Sequence, residues 1–212
     1  MKEWDKIFKK KGKVFLKPQE DIPRIVKLFK NNGVKNILDL GCGSGRHTVC
    51  LAKQNFDVYG FDIAEKGIKL AKAWLKKEHL KVYFKVGDIY KKLPYDDNSF
   101  DAIISVQVLQ HGTLNQIKLA IEEIKRILRP KDLLFVTLSG RYSKGKVRYC
   151  LVKTAKKIAP RTYLPTIGDE AGLIHYIYDK KTLIKHYKDF KVIDLWRDKK
   201  DYYCFLVKNK KL

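Results

Sequence analysis

The sequence contains no apolar run of about 18 residues, the length that a membrane-spanning helix needs. Its first residues, MKEWDKIFKKKGK, also lack the apolar core of a signal peptide. Both absences argue against a membrane protein and against a secreted one. We therefore expect a cytoplasmic location and no membrane partner.

Cysteine is scarce and scattered, with four residues at positions 42, 50, 150 and 204. No two of them form a C-x-x-C pair, which excludes the usual zinc-binding and redox motifs. The sequence therefore predicts buried, reduced thiols and no metal site.

Acidic residues are few: 23 Asp and Glu stand against 46 Lys and Arg, giving a formal net charge of +23. Such a surface attracts polyanions. Because lysine pairs and triplets occur along the whole chain, they favour a solvated lysine-rich surface over a single binding stripe. Segment 141–161 is the exception, since it is rich in Lys and Arg and contains no Asp or Glu. It is the best candidate for an anion-facing patch.

The length of 212 residues and the 45% hydrophobic content predict one globular domain. Apolar strands alternate with helix-length segments, a pattern typical of a parallel sheet covered on both faces. The fold class is therefore doubly wound α/β. We expect strands at 36–40, 57–61, 82–86, 100–106 and 133–138, helices at 46–54, 64–77, 115–128 and 179–187, and an antiparallel hairpin formed by 191–197 and 202–207.

Four parts follow from this pattern. Residues 1–33 would form a helical lid or cap, 34–140 the ligand-binding core, 141–178 an insertion over the active face, and 179–212 the last helix and the terminal hairpin. The aromatic residues near the start (Trp4, Phe8 and Phe15) belong to a lid or simply pack on the sheet.

A glycine-rich turn, Gly41-Cys42-Gly43-Ser44-Gly45, follows the first strand. Its glycines permit unusual backbone angles and a close approach of a ligand to the main chain. The spacing is neither G-x-G-x-x-G nor that of a phosphate loop, because no lysine follows, and a diphosphate ligand is thereby disfavoured. Asp39, two residues earlier, would hold the loop or reach a cationic ligand group through water.

Two further strands end in acidic residues. Asp62 follows Gly45 by 17 residues, near the offset of about 20 at which an acid meets ribose hydroxyls. Capping of the helix that begins near Ala64 is the alternative role for Asp62. After the third strand, Asp88 is suited to accept a hydrogen bond from an adenine amine while Ile89 covers the ring.

Together with Phe100–Val106, these motifs resemble those of the class I S-adenosylmethionine-dependent methyltransferases over residues 34–140, most closely the small-molecule branch that includes the tellurite-resistance type. The resemblance implies a seven-stranded sheet with S-adenosylmethionine as the cofactor. It places Gly41, Cys42, Gly43 and Gly45 against the methionine moiety, Asp62 with Ile63 at the ribose, Gly87, Asp88 and Ile89 at the adenine, and Val106 near the methionine part.

The methyl acceptor is less clearly indicated. The stretch Val106-Gln107-Val108-Leu109 lacks the Asn/Asp-Pro-Pro-aromatic motif of amino-methylating nucleic-acid enzymes, and no cysteine has the Pro-Cys or Thr-Cys setting of pyrimidine carbon-5 enzymes. His111 is a candidate general base, with a purely structural histidine as the alternative. His175 is a candidate for lining the acceptor site.

The sequence thus predicts a methyltransferase acting on an O, N or S atom of a small molecule, anionic acceptors included. A nucleic-acid partner is possible but not favoured. One alternative is that RNA or a ribosome-associated protein is the acceptor, and the other is a non-catalytic S-adenosylmethionine-binding protein.

Overall fold

The structure is a computed structural model that describes residues 2–13, 16–143, 145–148 and 154–211. Parallel strands connected largely by helices form its centre, as the sequence predicts. The strands of this part are β1 (Asn36–Leu40), β2 (Asp57–Asp62), β3 (Tyr83–Val86), β4 (Phe100–Val106) and β5 (Leu128–Ser139). The bounds of β1 and β4 are those predicted, whereas β5 begins five residues early because the chain is already extended through Pro130.

The helices are α1 (Lys2–Lys11), α2 (Ile22–Asn31), α3 (Arg46–Ala52), α4 (Glu65–Lys77), α5 (Leu114–Ile127) and, near the end, α6 (Lys180–His186). Local signals fix several of their ends. Thr113 and Gln116 form a capping box at the start of α5, and Asp179 accepts a hydrogen bond from the Thr182 amide at the start of α6. The prediction of helix over 46–54 is two residues too long.

The insertion contains more regular structure than its proline and glycine content predicts. It holds a short hairpin of β6 (Tyr142–Ser143) and β7 (Lys146–Val147). A second sheet is formed by β8 (Ala155–Ala159), β9 (Thr162–Pro165) and β10 (His175–Tyr176), all antiparallel to their neighbours. The backbone of β10 also binds the core, since the Tyr176 amide donates to the Gln110 carbonyl at 2.7 Å.

The chain ends in an antiparallel hairpin of β11 (Phe190–Arg197) and β12 (Tyr202–Asn209), with β12 also antiparallel to β5. The main sheet has seven strands in the order β11-β12-β5-β4-β1-β2-β3. Strands β1 to β5 are parallel to their neighbours. The doubly wound α/β fold with an antiparallel terminal hairpin is thus confirmed.

Hydrophobic residues of the sheet pack on both of its faces. In β4, Ile103 faces a cluster that includes α5 and α6, whereas Ala102 and Ile104 face a cluster that includes α2 and α3. Because side chains alternate along a strand, a strand buried on both faces must be apolar throughout, as Phe100–Val106 largely is. Because strands β1 to β5 run parallel, their carboxyl ends share one edge of the sheet.

No helix in the described parts of the chain combines the length and the apolar character needed to cross a membrane. The thiols of Cys42, Cys50 and Cys204 are free, with Cys42 and Cys204 buried and Cys50 half-buried. Cys150 and Phe15, which also entered the predictions, lie outside the described residues.

Candidate active site

The glycine turn after β1 adopts the backbone conformations that its sequence predicts. Gly41, Gly43 and Gly45 have φ angles of +82°, +52° and +92°. The Gly41 amide donates to the Phe61 carbonyl at 2.7 Å, which holds the start of the turn against the end of β2. A Cβ on Gly41 would lie 2.3 Å from a Val108 methyl group, so no larger residue fits there without displacement.

Asp62 links the turn to the helix that follows β2. Its Oδ2 accepts a hydrogen bond from the Gly43 amide at 2.8 Å, and its Oδ1 accepts one from the Ala64 amide at 2.8 Å. Burial raises the pKa of this carboxyl. Asp62 therefore fills the capping role of the alternative, and it also lines the cavity described below, where the predicted ribose contact would be made.

Asp39 lies beneath the turn and is fully buried. Its Oδ2 accepts a hydrogen bond from the Thr48 hydroxyl at 2.6 Å, whereas its Oδ1 has no partner among the described residues. Burial raises the pKa of Asp39 to about 7, although the Thr48 hydrogen bond lowers it. Asp39 does not line the cavity. Its hydrogen bond with Thr48 holds α3 to β1.

Of the residues predicted to bind adenine at the end of β3, some line the cavity and others do not. Ile89 is buried and lines the cavity. Asp88 is half-buried and uses Oδ1 to accept a hydrogen bond from the Tyr90 amide at 2.9 Å. Asp88, Gly87 and Gly45 are not among the residues that line the cavity, and a Cβ on Gly87 would lie 2.5 Å from the Phe61 ring. The observed role of Gly87 is thus close packing, and an adenine contact by Asp88 stays a prediction.

A cavity of about 500 Å³ opens along the carboxyl edge of the sheet. Predicted site residues that line it are Gly41, Cys42, Gly43, Asp62, Ile63, Ile89 and Val106, together with His111 and His175. The volume is within the roughly 300–1,000 Å³ of small-molecule sites. One cavity therefore joins the predicted cofactor residues to both predicted histidines.

His111 has both ring nitrogens engaged. The Gln110 Oε1 accepts a hydrogen bond from the Ser139 amide at 2.7 Å, which turns the amide nitrogen of Gln110 toward His111 Nε2 at 3.4 Å. His111 Nε2 is then the acceptor, and Nδ1 donates to the Ile174 carbonyl at 3.3 Å. Burial lowers the pKa of His111 to about 3, so the ring is neutral. This arrangement favours the structural role over that of a general base.

His175 differs because its Nε2 has no hydrogen bond from the described residues although the side chain is almost fully buried. The Oε2 of Glu170 lies 3.5 Å away, and the His111 ring centroid lies 4.7 Å from that of His175. Burial, followed by the charge of Arg148, lowers the pKa of His175 to about 4. A neutral ring that lines the cavity thus has one nitrogen without a hydrogen bond from the described residues.

Helix α1 covers the turn from above. The Phe8 ring lies 3.1 Å from where a Cβ on Gly43 would stand and 3.0 Å from the corresponding position on Gly67. Asp5 accepts a hydrogen bond from the Lys66 amide at 2.9 Å, and Lys11 forms an ion pair with Asp169 of the insertion. The helix is therefore fastened both to α4 and to the insertion.

Several lining residues were not singled out as site residues from the sequence. Arg46 begins α3, Arg148 belongs to the insertion, Glu170 precedes β10 and Tyr202 begins β12. Arg46 had a readable signal, since it follows the last glycine of the turn directly. Arg148 lies in segment 141–161, which the sequence indicates as the candidate anion-facing patch, whereas Glu170 and Tyr202 reach the cavity only through the tertiary fold.

Two sequence comparisons agree with this site. Residues 37–131 match a family model described as "Methyltransferase domain". The chain is 30% identical over 129 residues to the ubiquinone biosynthesis O-methyltransferase of Pelagibacter ubique, covering 58% of this chain and 52% of that protein. It is 25% identical over 211 residues to the tRNA N(3)-methylcytidine methyltransferase trm140 of Schizosaccharomyces pombe, covering 93% and 66%. The chain spans about half the length of the first relative.

Solved structures show the same fold. The PH0226 protein of Pyrococcus horikoshii OT3 superposes with a TM-score of 0.73 at 23% identity, covering 92% of this chain and 93% of that one. A SAM-dependent methyltransferase of Methanosarcina mazei gives a TM-score of 0.70 at 23% identity, covering 82% and 92%. At these identities the likeness establishes the architecture alone.

Proposed function

We propose that this chain, which belongs to the class I S-adenosylmethionine-dependent methyltransferases, transfers a methyl group to an oxygen, nitrogen or sulfur atom of a small molecule. The observation that carries the proposal is the single cavity in which the glycine turn and His175 meet under α1. When bound, the cofactor supplies a methyl group that its sulfonium already activates.

The residues present fit this cofactor. The absence of Cβ atoms at Gly41 and Gly43 keeps the turn close to its neighbours, and their amide groups already point to β2 and Asp62. The two oxygens of Asp62 offer about four lone pairs, and backbone amides of Gly43, Ala64 and Ile63 engage only part of them, so ribose hydroxyls can donate to the rest. Ile63 and Ile89 supply the apolar surface that an adenine ring needs.

The other half of the cavity would hold the acceptor. Methylation of a hydroxyl, amine or thiol releases a proton, and His175 Nε2 is the neutral nitrogen that can take it. Glu170 Oε2, at 3.5 Å, would then pair with the imidazolium and pass the proton to solvent. Positioning of the acceptor and exclusion of water account for the rest of the rate enhancement.

The lid and insertion assignments are part of this proposal. Trp4 and Phe8 of α1 line the cavity together with Glu170 and His175 of the insertion. A site enclosed by these segments suits a small molecule better than a polymer. Opening of α1 would admit the cofactor, and closure would keep water from the reacting atoms.

Calorimetry with S-adenosylhomocysteine is the first test of the proposal. We expect one binding site per chain in the folded protein. The second test incubates the protein with methyl-deuterated S-adenosylmethionine and a metabolite extract, and mass spectrometry then locates the label. Binding of S-adenosylhomocysteine without label in any acceptor would identify a non-catalytic binding protein instead.

RNA is a second candidate acceptor, favoured by the net charge of +23 and by the tRNA methyltransferase relative that aligns with 93% of this chain. The same labelling experiment with total tRNA distinguishes the two. Label in tRNA, lost on raising the salt concentration, would support RNA because phosphate contacts are strongly salt-dependent. Label in the small-molecule fraction alone would support the first candidate.

A further inference from the structure

The guanidinium of Arg148 is held rigidly at the wall of the cavity. Its Nε donates to the Gly140 carbonyl at 3.0 Å, and its Nη2 donates to the carbonyls of Lys200 at 3.2 Å and Asp201 at 3.1 Å. The group also lies 4.1 Å from the centre of the Tyr202 ring. Main-chain carbonyls orient a cation without neutralising its charge.

No ion pair joins Arg148 to a carboxylate in the part of the chain that the structure describes. Glu170 also lines the cavity, and the charge of Arg148 lowers the pKa of Glu170 while burial raises it by more. A second arginine, Arg46, lines the same cavity and is half-buried. The histidines add no charge because burial keeps them neutral. Arg148 therefore brings a positive charge to the wall of the cavity.

The position of Arg148 separates it from the cofactor turn. Gly140 follows β5, and Tyr202 begins β12, so Arg148 lies over the β5–β12 side of the sheet edge. In the strand order, β12 is three strands from β1, or roughly 14 Å at the usual spacing of neighbouring strands. The predicted ribose contact, at the end of β2, is one strand further away.

A second lining residue belongs to the same half of the cavity. His175 contributes to its wall, and the buried Nε2 of His175 has no hydrogen bond from the described residues. Leaving such a group unpaired is costly, so a binding partner is expected there. A molecule that spans from Arg148 to His175 would satisfy both groups.

We infer that Arg148 binds a carboxylate of the methyl acceptor, so that the substrates of this site are small organic acids with a nucleophilic atom directed to His175. The inference rests on the proposed function and names its substrate class. The three carbonyls engage Nε and Nη2 of Arg148, so Nη1 is the nitrogen that would donate charge-assisted hydrogen bonds to the carboxylate.

The test uses the full chain saturated with S-adenosylhomocysteine and titrated in a calorimeter with benzoate and butyrate, each compared with its neutral amide. We expect at least one acid to bind and its amide to bind roughly 10- to 100-fold more weakly, as the loss of a charge-assisted hydrogen bond implies. Equal affinity of acid and amide, or no binding of either acid, would overturn the inference.

The variant Arg148→Gln should abolish the preference for the acid, and Arg148→Lys should restore part of it. Lys146→Gln is the matched control, because Lys146 is an exposed cation of the same insertion and does not line the cavity. A preference that survives in Arg148→Gln would contradict the assignment. The comparison of acid with amide on the unaltered chain remains decisive if the variants fail to fold.

The carboxylate of the cofactor is the competing source of the same chemistry. If Arg148 bound that carboxylate, Arg148→Gln would weaken the binding of S-adenosylhomocysteine. Binding of 5′-methylthioadenosine, which lacks the carboxylate, would be unchanged. We expect instead that both nucleosides bind the variant as they bind the unaltered chain. Failure of S-adenosylhomocysteine to bind the unaltered chain would refute the proposed function, whereas failure of the acids alone would refute only this inference.

Discussion

Replacement of Gly41 by alanine should damage the cofactor site and the fold together. Gly41 has a φ of +82°, and a Cβ at this position would lie 2.3, 2.5 and 2.9 Å from three side-chain atoms of Val108. The left-handed conformation costs an alanine roughly 1–2 kcal/mol, and forced overpacking costs roughly 1–3 kcal/mol more. We therefore expect Gly41→Ala to lower the free energy of unfolding by about 2–5 kcal/mol.

Gly33 provides a control for the backbone contribution alone. Its φ is +68°, and a Cβ there would have no atom within 4 Å. Gly33→Ala should cost only about 1–2 kcal/mol. At roughly 2–4 °C per kcal/mol for a chain of this size, the two substitutions should differ visibly in melting temperature.

Binding separates the two positions further. Val108 lines the cavity and must move to admit the new methyl group. Gly41→Ala should therefore lower the affinity for S-adenosylhomocysteine by at least about tenfold, or about 1.4 kcal/mol. Gly33→Ala should leave binding unchanged. A second substitution, Val108→Ala, should recover part of the stability lost in Gly41→Ala. Equal melting temperatures and equal affinities for the two alanine variants would refute the reasoning.

Three further predictions concern the lid, the acid after β2 and the buried histidine. Phe8→Ala removes the ring that covers Gly43, so stopped-flow fluorescence should show faster release of S-adenosylhomocysteine. An unchanged release rate would contradict the role of α1 as a lid. Asp62→Asn places an amide NH2 group opposite a backbone N–H donor, so one hydrogen bond is lost. Chemical denaturation should show a free energy of unfolding lower by about 1–3 kcal/mol, and the cofactor should bind more weakly. The pKa of His175 falls from 6.5 to about 4 on folding, so its contribution is complete above pH 6.5 and is lost as the pH falls toward 4. His175→Asn should therefore reduce the change in the free energy of unfolding between these pH values by at most about 3 kcal/mol. Parallel profiles of unfolding free energy against pH for the two proteins would exclude the lowered pKa of His175.

Much of the fold was predictable because local signals and periodicity agreed. Phe100–Val106 is almost uniformly apolar and is buried on both faces, so its bounds were predicted correctly. The insertion was harder to predict because its strands are short and β8 is largely exposed. Lys156 and Lys157 in β8, for example, carry no alternation that would indicate a strand.

The proposed cofactor half of the site could be read from the sequence for a related reason, because its residues stand directly at strand ends. Gly43 and Asp62 meet because β1 and β2 are adjacent and parallel. For the proposed acceptor half, the sequence indicated the basic segment 141–161 but not the place of Arg148, because carbonyls of the β11–β12 turn, far away in sequence, bring Arg148 to the cavity. His111 and His175 were named individually, but their contact depends on the pairing of β10 with the loop after β4.

If the glycine turn binds S-adenosylmethionine in this cavity, S-adenosylhomocysteine must bind there too. Calorimetric titration of the unaltered chain with S-adenosylhomocysteine, with Gly41→Ala and Gly33→Ala measured in parallel, tests it most directly. We expect one site per chain, with an affinity that falls at least about tenfold in Gly41→Ala and is unchanged in Gly33→Ala. No heat of binding to a chain that unfolds cooperatively on heating would contradict it.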